Sequence, residues 1–147
     1  MKRHSISAGA VVTRDDGRIL AVQRRDTGAW VTPGGIVESG EPIESATARE
    51  VFEETGVRIS LRSMSGIYQN LSTDVVTFVF RAEPDTPGQG LSDERNDAET
   101  ENVRWLTLDD VDQLMTPPFI TRVHDAVSRQ PAPYLRTIHE PHLMTPR

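Results

Sequence analysis

The chain has 147 residues, a net charge of −6 and no cysteine. That length supports one domain with a proper core and is short for two, and the missing thiols exclude disulfides, cysteine nucleophiles and cysteine zinc sites. The acidic balance argues against a nucleic acid polymer as partner; with no signal-peptide run in MKRHSISAGAVV and no apolar stretch near the ~18 residues of a membrane span, a cytoplasmic protein without membrane contact is expected.

In chain order, Ile6, Ala8, Ala10 and Val12 alternate with smaller or polar residues and predict a strand with one buried face. Asp15-Asp16-Gly17 signals a hairpin, and residues 18–24, RILAVQR, return as a second strand. Thr32-Pro33-Gly34-Gly35 predicts a tight loop whose paired glycines take positive φ and let a metal or phosphate approach the backbone. A helix of about fourteen residues follows, with Pro42 near its first position and Gly56 at its left-handed cap. Residues 57–61 resume extended structure. Residues 66–70 and 74–82 read as strands joined near Leu71-Ser72-Thr73, and the run 75–80, apolar on both faces, predicts a central strand.

Residues 83–98 are rich in proline, glycine and acids and predict a long mobile loop. A last strand is expected over 101–106, with Trp105 in the core, then a short helix over 108–115. A second helix is expected over 117–128, with Thr116 as N-cap and Phe119, Ile120, Val123 and Val127 on one face. The catalytic domain is thus expected to span 1–128. In 129–147, prolines at 131, 133, 141 and 146 predict an extension without regular elements. It is expected to pack through Tyr134, Leu135, Ile138 and Leu143 on its own domain or on the partner of a homodimer.

The densest information lies in residues 35–57, GIVESGEPIESATAREVFEETGV. Glu50, Glu53 and Glu54 stand at i, i+3 and i+4, so a helix places their carboxylates on one face. Three like charges there repel one another, and clustered carboxylate oxygens are the ligands that hard Mg2+ or Mn2+ prefers, so a divalent cation supplies the missing counter-charge. Arg49, four residues before Glu53 and eight after Glu41, can pair its planar fork with a carboxylate and hold it in one rotamer. The histidines, His4, His124, His139 and His142, have no metal-ligand spacing and are read as structural or surface residues.

Gly35, Glu41, Arg49, Glu50, Val51, Glu53, Glu54, Gly56 and Val57 match the whole of G-x5-E-x7-R-E-U-x-E-E-x-G-U, where U is aliphatic. Its seven fixed identities arise by chance with odds on the order of 10^-8 per starting position. The chain therefore resembles the Nudix hydrolases, which cleave a nucleoside diphosphate linked to another moiety by attack of a metal-activated water on phosphorus. The resemblance implies an α/β fold, the α-β-α sandwich with a central mixed sheet. It also implies Mg2+ or Mn2+ held by Glu50, Glu53 and Glu54 with the Gly35 carbonyl, and gives Arg49 and Glu41 a supporting role.

The general base differs between family members. The candidates here are a box glutamate or one of Glu99 and Glu101 at the end of the long loop, with Glu101 preferred. Candidate substrate contacts are Arg24 and Arg25 for phosphates, Trp30 as a stacking platform or as packing under the box, and Tyr68, Gln69 and Asn70 at a strand end. The SQPWPxPxS array linked to NADH hydrolysis is absent. So are the proline about fifteen residues past the box seen in ADP-ribose hydrolases and the tyrosine spacing of dinucleoside polyphosphate hydrolases. What remains resembles the MutT-like group, so a plain or modified nucleoside triphosphate is the expected substrate. Two alternatives are a pyrophosphatase for ADP-ribose or a nucleotide sugar, and a nucleotide-sensing module without turnover.

Overall fold

The computed structural model describes residues 3–86, 99–140 and 143–146. Strands β1 (Ser5–Val12) and β2 (Ile19–Arg24) flank the turn at Asp15-Asp16-Gly17, where Gly17 takes a φ of 84°. Strands β3 (Trp30–Val31) and β4 (Gly34–Ile36) lead into helix α1 (Ile43–Thr55). Strands β5 (Ile59–Asn70), β6 (Val75–Pro84) and β7 (Thr100–Leu106) follow. Then come helices α2 (Leu108–Leu114) and α3 (Pro117–Ser128) and strands β8 (Tyr134–Glu140) and β9 (Leu143–Pro146).

One mixed sheet runs β4-β1-β6-β5-β8-β9, and a smaller one runs β3-β2-β7. Side-chain alternation divides the core in two. Val11, Ile19, Ala21, Tyr68 and Val79 join Val123 and Ala126 of α3, whereas Ala10, Val12, Leu20, Val22 and Ala82 join Val51 of α1. Helices thus cover opposite faces of the strands, as an α-β-α sandwich requires. Residues from Ala8 to Val12 are all buried, so β1 has two covered faces rather than the one its alternation predicts; small alanines and Gly9 leave room for the second layer.

The helix limits follow local chemistry. Gly56 caps α1 at φ 73° and donates its N–H to Phe52 O at 2.8 Å. In α2 a reciprocal capping box joins Thr107 and Asp110. Thr116 stands at the N-cap of α3, but Val127 is 40% exposed; Val123 and Ala126 carry the buried face.

Four expected features take other forms. The two strands expected over 57–61 and 66–70 are one, β5, which starts at Ile59 and whose pairing with β6 shifts register near Met64 and Gly66. Glu83 and Pro84 continue β6 rather than opening a loop; of the expected loop, 87–98 lie outside the described residues. Gly34 and Gly35 form β4 without positive φ, and their lack of a side chain serves close approach instead. A Cβ at Gly34 would stand 2.6 Å from Ala8 O. Finally, the carboxy-terminal segment contains two strands, with β8 parallel to β5 and β9 antiparallel to β8. Pro131 and Pro133 precede β8 and Pro146 ends β9 at the sheet edge, positions where a missing N–H breaks no interior ladder.

Candidate active site

A cavity of about 330 Å³ opens where four elements meet. Strand β2 contributes Val22 and Arg24, β4 contributes Gly34, Gly35 and Ile36, α1 contributes Glu50 and Glu54, and β7 contributes its first residue, Thr100, with Glu99 just before it. Gly34 donates its N–H to Glu54 Oε1 at 2.9 Å, which fixes that carboxylate against β4. At Gly35 a Cβ would meet the Glu50 carboxyl carbon at 2.5 Å, so the glycine vacates the space this carboxylate fills. Ser7 Oγ donates to Gly35 O at 3.1 Å.

Arg49 organises the outer side of the helix. Its Nε and Nη2 donate to the two oxygens of Glu41 at 2.6 and 2.9 Å, while Nη1 reaches Glu50 at 3.0 Å and Glu53 at 3.3 Å. The first of these bonds is the main cause that raises the Arg49 pKa and lowers that of Glu41, keeping both charged. One guanidinium thereby offsets the repulsion among three carboxylates. A larger groove of about 860 Å³, lined by Arg14, Arg62 and Arg81 among others, has these charges engaged by Asp16, Glu83 and backbone carbonyls. It contains no box residue.

A family model described as NUDIX domain matches residues 3–127. The chain belongs to the Nudix hydrolase family. It is 40% identical to a MutT-like protein of Streptomyces ambofaciens over 141 residues, 96% of this chain and 88% of that one. A Bacillus subtilis protein proposed to be an 8-oxo-dGTP diphosphatase is 31% identical over 118 residues, 80% of this chain and 76% of the relative. Among solved structures, a NUDIX hydrolase from Nitrosomonas europaea superimposes with a TM-score of 0.79 at 19% identity, covering 95% of this chain and 81% of that one. This last likeness concerns the fold alone.

Nudix hydrolases generally need a divalent metal, and the donor set here suits one. Among the described residues no three His, Asp or Glu side chains converge on one point; Glu50 and Glu54 line the cavity while Glu53, 42% exposed, turns to Arg49 outside it. Two carboxylates, rather than the expected three, still fit Mg2+, which keeps several waters and takes only one or two carboxylates plus substrate phosphates.

Of the two distant acids, the Nudix cavity takes Glu99 and leaves out Glu101. The reason is a bulge. Val22 pairs with Val103 and Gln23 with Asn102, but Arg24 pairs with Thr100, so Glu101 is an extra residue on β7. Regular alternation would place Glu101 opposite Arg24 beside the cavity; the bulge turns it to Arg25, 3.0 Å away.

Three expected substrate contacts lie elsewhere. Trp30 is a core residue, 8% exposed, with Arg104 over its ring at 5.5 Å. Tyr68 is fully buried, and its hydroxyl donates to Asp125 Oδ2 at 2.7 Å. Asn70 closes the β5–β6 turn, its Oδ1 accepting from Ser72 N, Ser72 Oγ and Thr73 N. Arg25 is likewise absent from the lining, whereas Arg24 belongs to it. Thr100, Val22 and Ile36 complete the walls without any mark in the sequence. Trp105 is partly buried against the α1-side core, with Arg14 5.0 Å from its ring centroid. No helix among the described residues is long and apolar enough to cross a membrane.

Proposed function

We propose that the chain is a divalent-metal-dependent pyrophosphohydrolase that converts a plain or modified nucleoside triphosphate and water to the monophosphate and pyrophosphate. One observation carries this reading: two helix carboxylates, Glu50 and Glu54, share a cavity with Arg24 and with a third acid, Glu99. Glu50 and Glu54 are the residues to hold Mg2+ or Mn2+, with a backbone oxygen of β4 as a further donor. The ion supplies neutralisation of the pyrophosphate oxygens and a lowered pKa for water.

The chain's own groups do the rest. Arg24 is kept charged, first by its hydrogen bonds to Asp26 and also by the fields of Glu99 and Glu54, so it presents a permanent cation to the phosphates. Glu99 accepts the proton of the attacking water as the new P–O bond forms, and the electrons of the broken anhydride leave on pyrophosphate. Arg49 and Glu41 keep Glu50 in one orientation from outside. Ile36, 52% exposed at the mouth, offers an apolar surface to the nucleoside.

The 8-oxo-dGTP diphosphatase activity proposed for the Bacillus subtilis relative supports a modified nucleoside triphosphate. Chromatography of products from a panel of triphosphates, 8-oxo-dGTP, ADP-ribose and nucleotide sugars tests it. Monophosphate plus pyrophosphate from a triphosphate is the expected outcome. AMP plus ribose phosphate as the only products would move the assignment, and binding without turnover would indicate a sensor.

A further inference from the structure

We infer that Arg25, with Glu101, is a positioning residue that fixes Glu99 and Thr100 on the wall of the cavity facing Glu50 and Glu54. The inference rests on the catalytic reading of that cavity.

Arg25 engages three consecutive residues. Its backbone N–H donates to Glu99 O at 2.8 Å, its Nη2 donates to Thr100 O at 3.1 Å, and its Nη1 lies 3.0 Å from Glu101 Oε2. These contacts coincide with the bulge, where the ladder between β2 and β7 loses its regular step. A bulge leaves backbone groups unpaired and lets the strand bend. Here the guanidinium supplies a donor to a carbonyl of the irregular stretch, and the carboxylate of the extra residue holds the guanidinium in place.

The consequence is a choice of side chains. With regular pairing, Arg24 would face Glu101, and Thr100 would point away from the cavity. With the extra residue clasped by Arg25, Thr100 and Glu99 line the cavity and Glu101 lies outside it. Arg25 does not itself line that space, so its effect passes through Glu99. A planar fork suits the task because it meets a carbonyl and a carboxylate at once, which a lysine cannot do in fixed geometry.

The test combines kinetics with hydrogen–deuterium exchange on the full chain. Arg25→Ala is expected to lower kcat roughly 10- to 100-fold with little change in KM, the size of effect that slight misplacement of a reacting group produces. Arg25→Lys should recover part of this, and Glu101→Gln, which keeps shape and hydrogen bonding, should lose only a few-fold. Added to Glu99→Gln, Arg25→Ala should cost almost nothing more, because both changes act through one group. Amides of residues 99–102 should exchange faster in Arg25→Ala at unchanged melting temperature.

Wild-type kcat in Arg25→Ala, or losses that multiply in the double variant, would overturn the inference. A raised KM at unchanged kcat would make Arg25 a substrate contact instead. If the wild type shows no metal-dependent turnover, the hydrolase reading fails by itself, and exchange still decides the clasp: unchanged protection of 99–102 removes it.

Discussion

The backbone N–H of Gly34 donates to Glu54 Oε1 at 2.9 Å, tying β4 to helix α1 across twenty positions of sequence. The two glycines of β4 serve different ends. Gly34 gives room to a neighbouring strand, and Gly35 gives room to a carboxylate.

Alanine at the two positions should therefore fail in different ways. In Gly34→Ala the new methyl meets the Ala8 carbonyl at 2.6 Å and the Gly9 Cα at 2.7 Å, backbone atoms that cannot step aside. Overpacking of this kind costs about 1–3 kcal/mol, which lowers Tm by several degrees. In Gly35→Ala the obstacle is the Glu50 side chain, which can rotate out of the cavity, so Tm should fall less and kcat more. Thermal melts beside steady-state kinetics separate the two.

Acid should loosen the Arg49 cluster. The Glu41 carboxyl is held below its usual value of 4.5, first by hydrogen bonding from Arg49 and then by the Glu38 N–H. A depressed folded pKa contributes stability that is complete above the unfolded value and is lost as pH falls through the folded one. As pH falls below the usual carboxylate value the wild-type Tm should thus drop more steeply than that of Glu41→Gln, which lacks the titrating group. Parallel dependence of Tm on pH in the two proteins would show that the pair contributes nothing.

A buried polar anchor outside the cavity joins α3 to β8. Asp125 accepts from Arg136 Nε and Nη2, both at 2.7 Å, and from the Tyr68 hydroxyl at 2.7 Å. Breaking such a buried pair on one side costs about 3–5 kcal/mol, so Arg136→Leu should unfold at markedly lower urea. Truncation after Arg129 removes the same partner together with β8 and should be at least as damaging.

Tyr68→Phe removes only one of the three bonds and should cost about 1–2 kcal/mol. Its KM for every nucleotide should equal the wild type's, because the side chain is sealed in the core rather than exposed to substrate. A several-fold rise in KM would return Tyr68 to the binding site.

The box was legible in the sequence because helical spacing is a local rule: residues 41–56 fix which carboxylates share a face, and the structure places Glu50 and Glu54 together with Gly34 and Gly35. The positions of β1, β2, β6 and β7 followed from periodicity for the same reason, whereas β3 and β4, two and three residues long, are too short to show one. What escaped depends on distant partners. The bulge at Glu101 is a mismatch in count between β2 and β7, some 75 residues apart, and alternation within β7 alone points the wrong way. Tyr68 and Trp30 have the chemistry of ligand contacts, and only packing against α2, α3 and the sheets assigns them to the core. The strands after Arg129 were masked by prolines that mark strand ends.

In the proposed reaction Glu50 and Glu54 hold the divalent ion on which hydrolysis depends. Turnover of a nucleoside triphosphate should be followed against Mg2+ and Mn2+ concentration for the wild type and for Glu54→Gln, with calorimetric titration of the metal alone into each. Excess chelator should abolish turnover. Glu54→Gln should lose at least about 100-fold, since even groups behind a metal ligand are worth 10- to 100-fold, and should bind metal more weakly at an unchanged fold. Turnover that survives chelation, or a Glu54→Gln variant with wild-type rate and metal affinity, would contradict this reading.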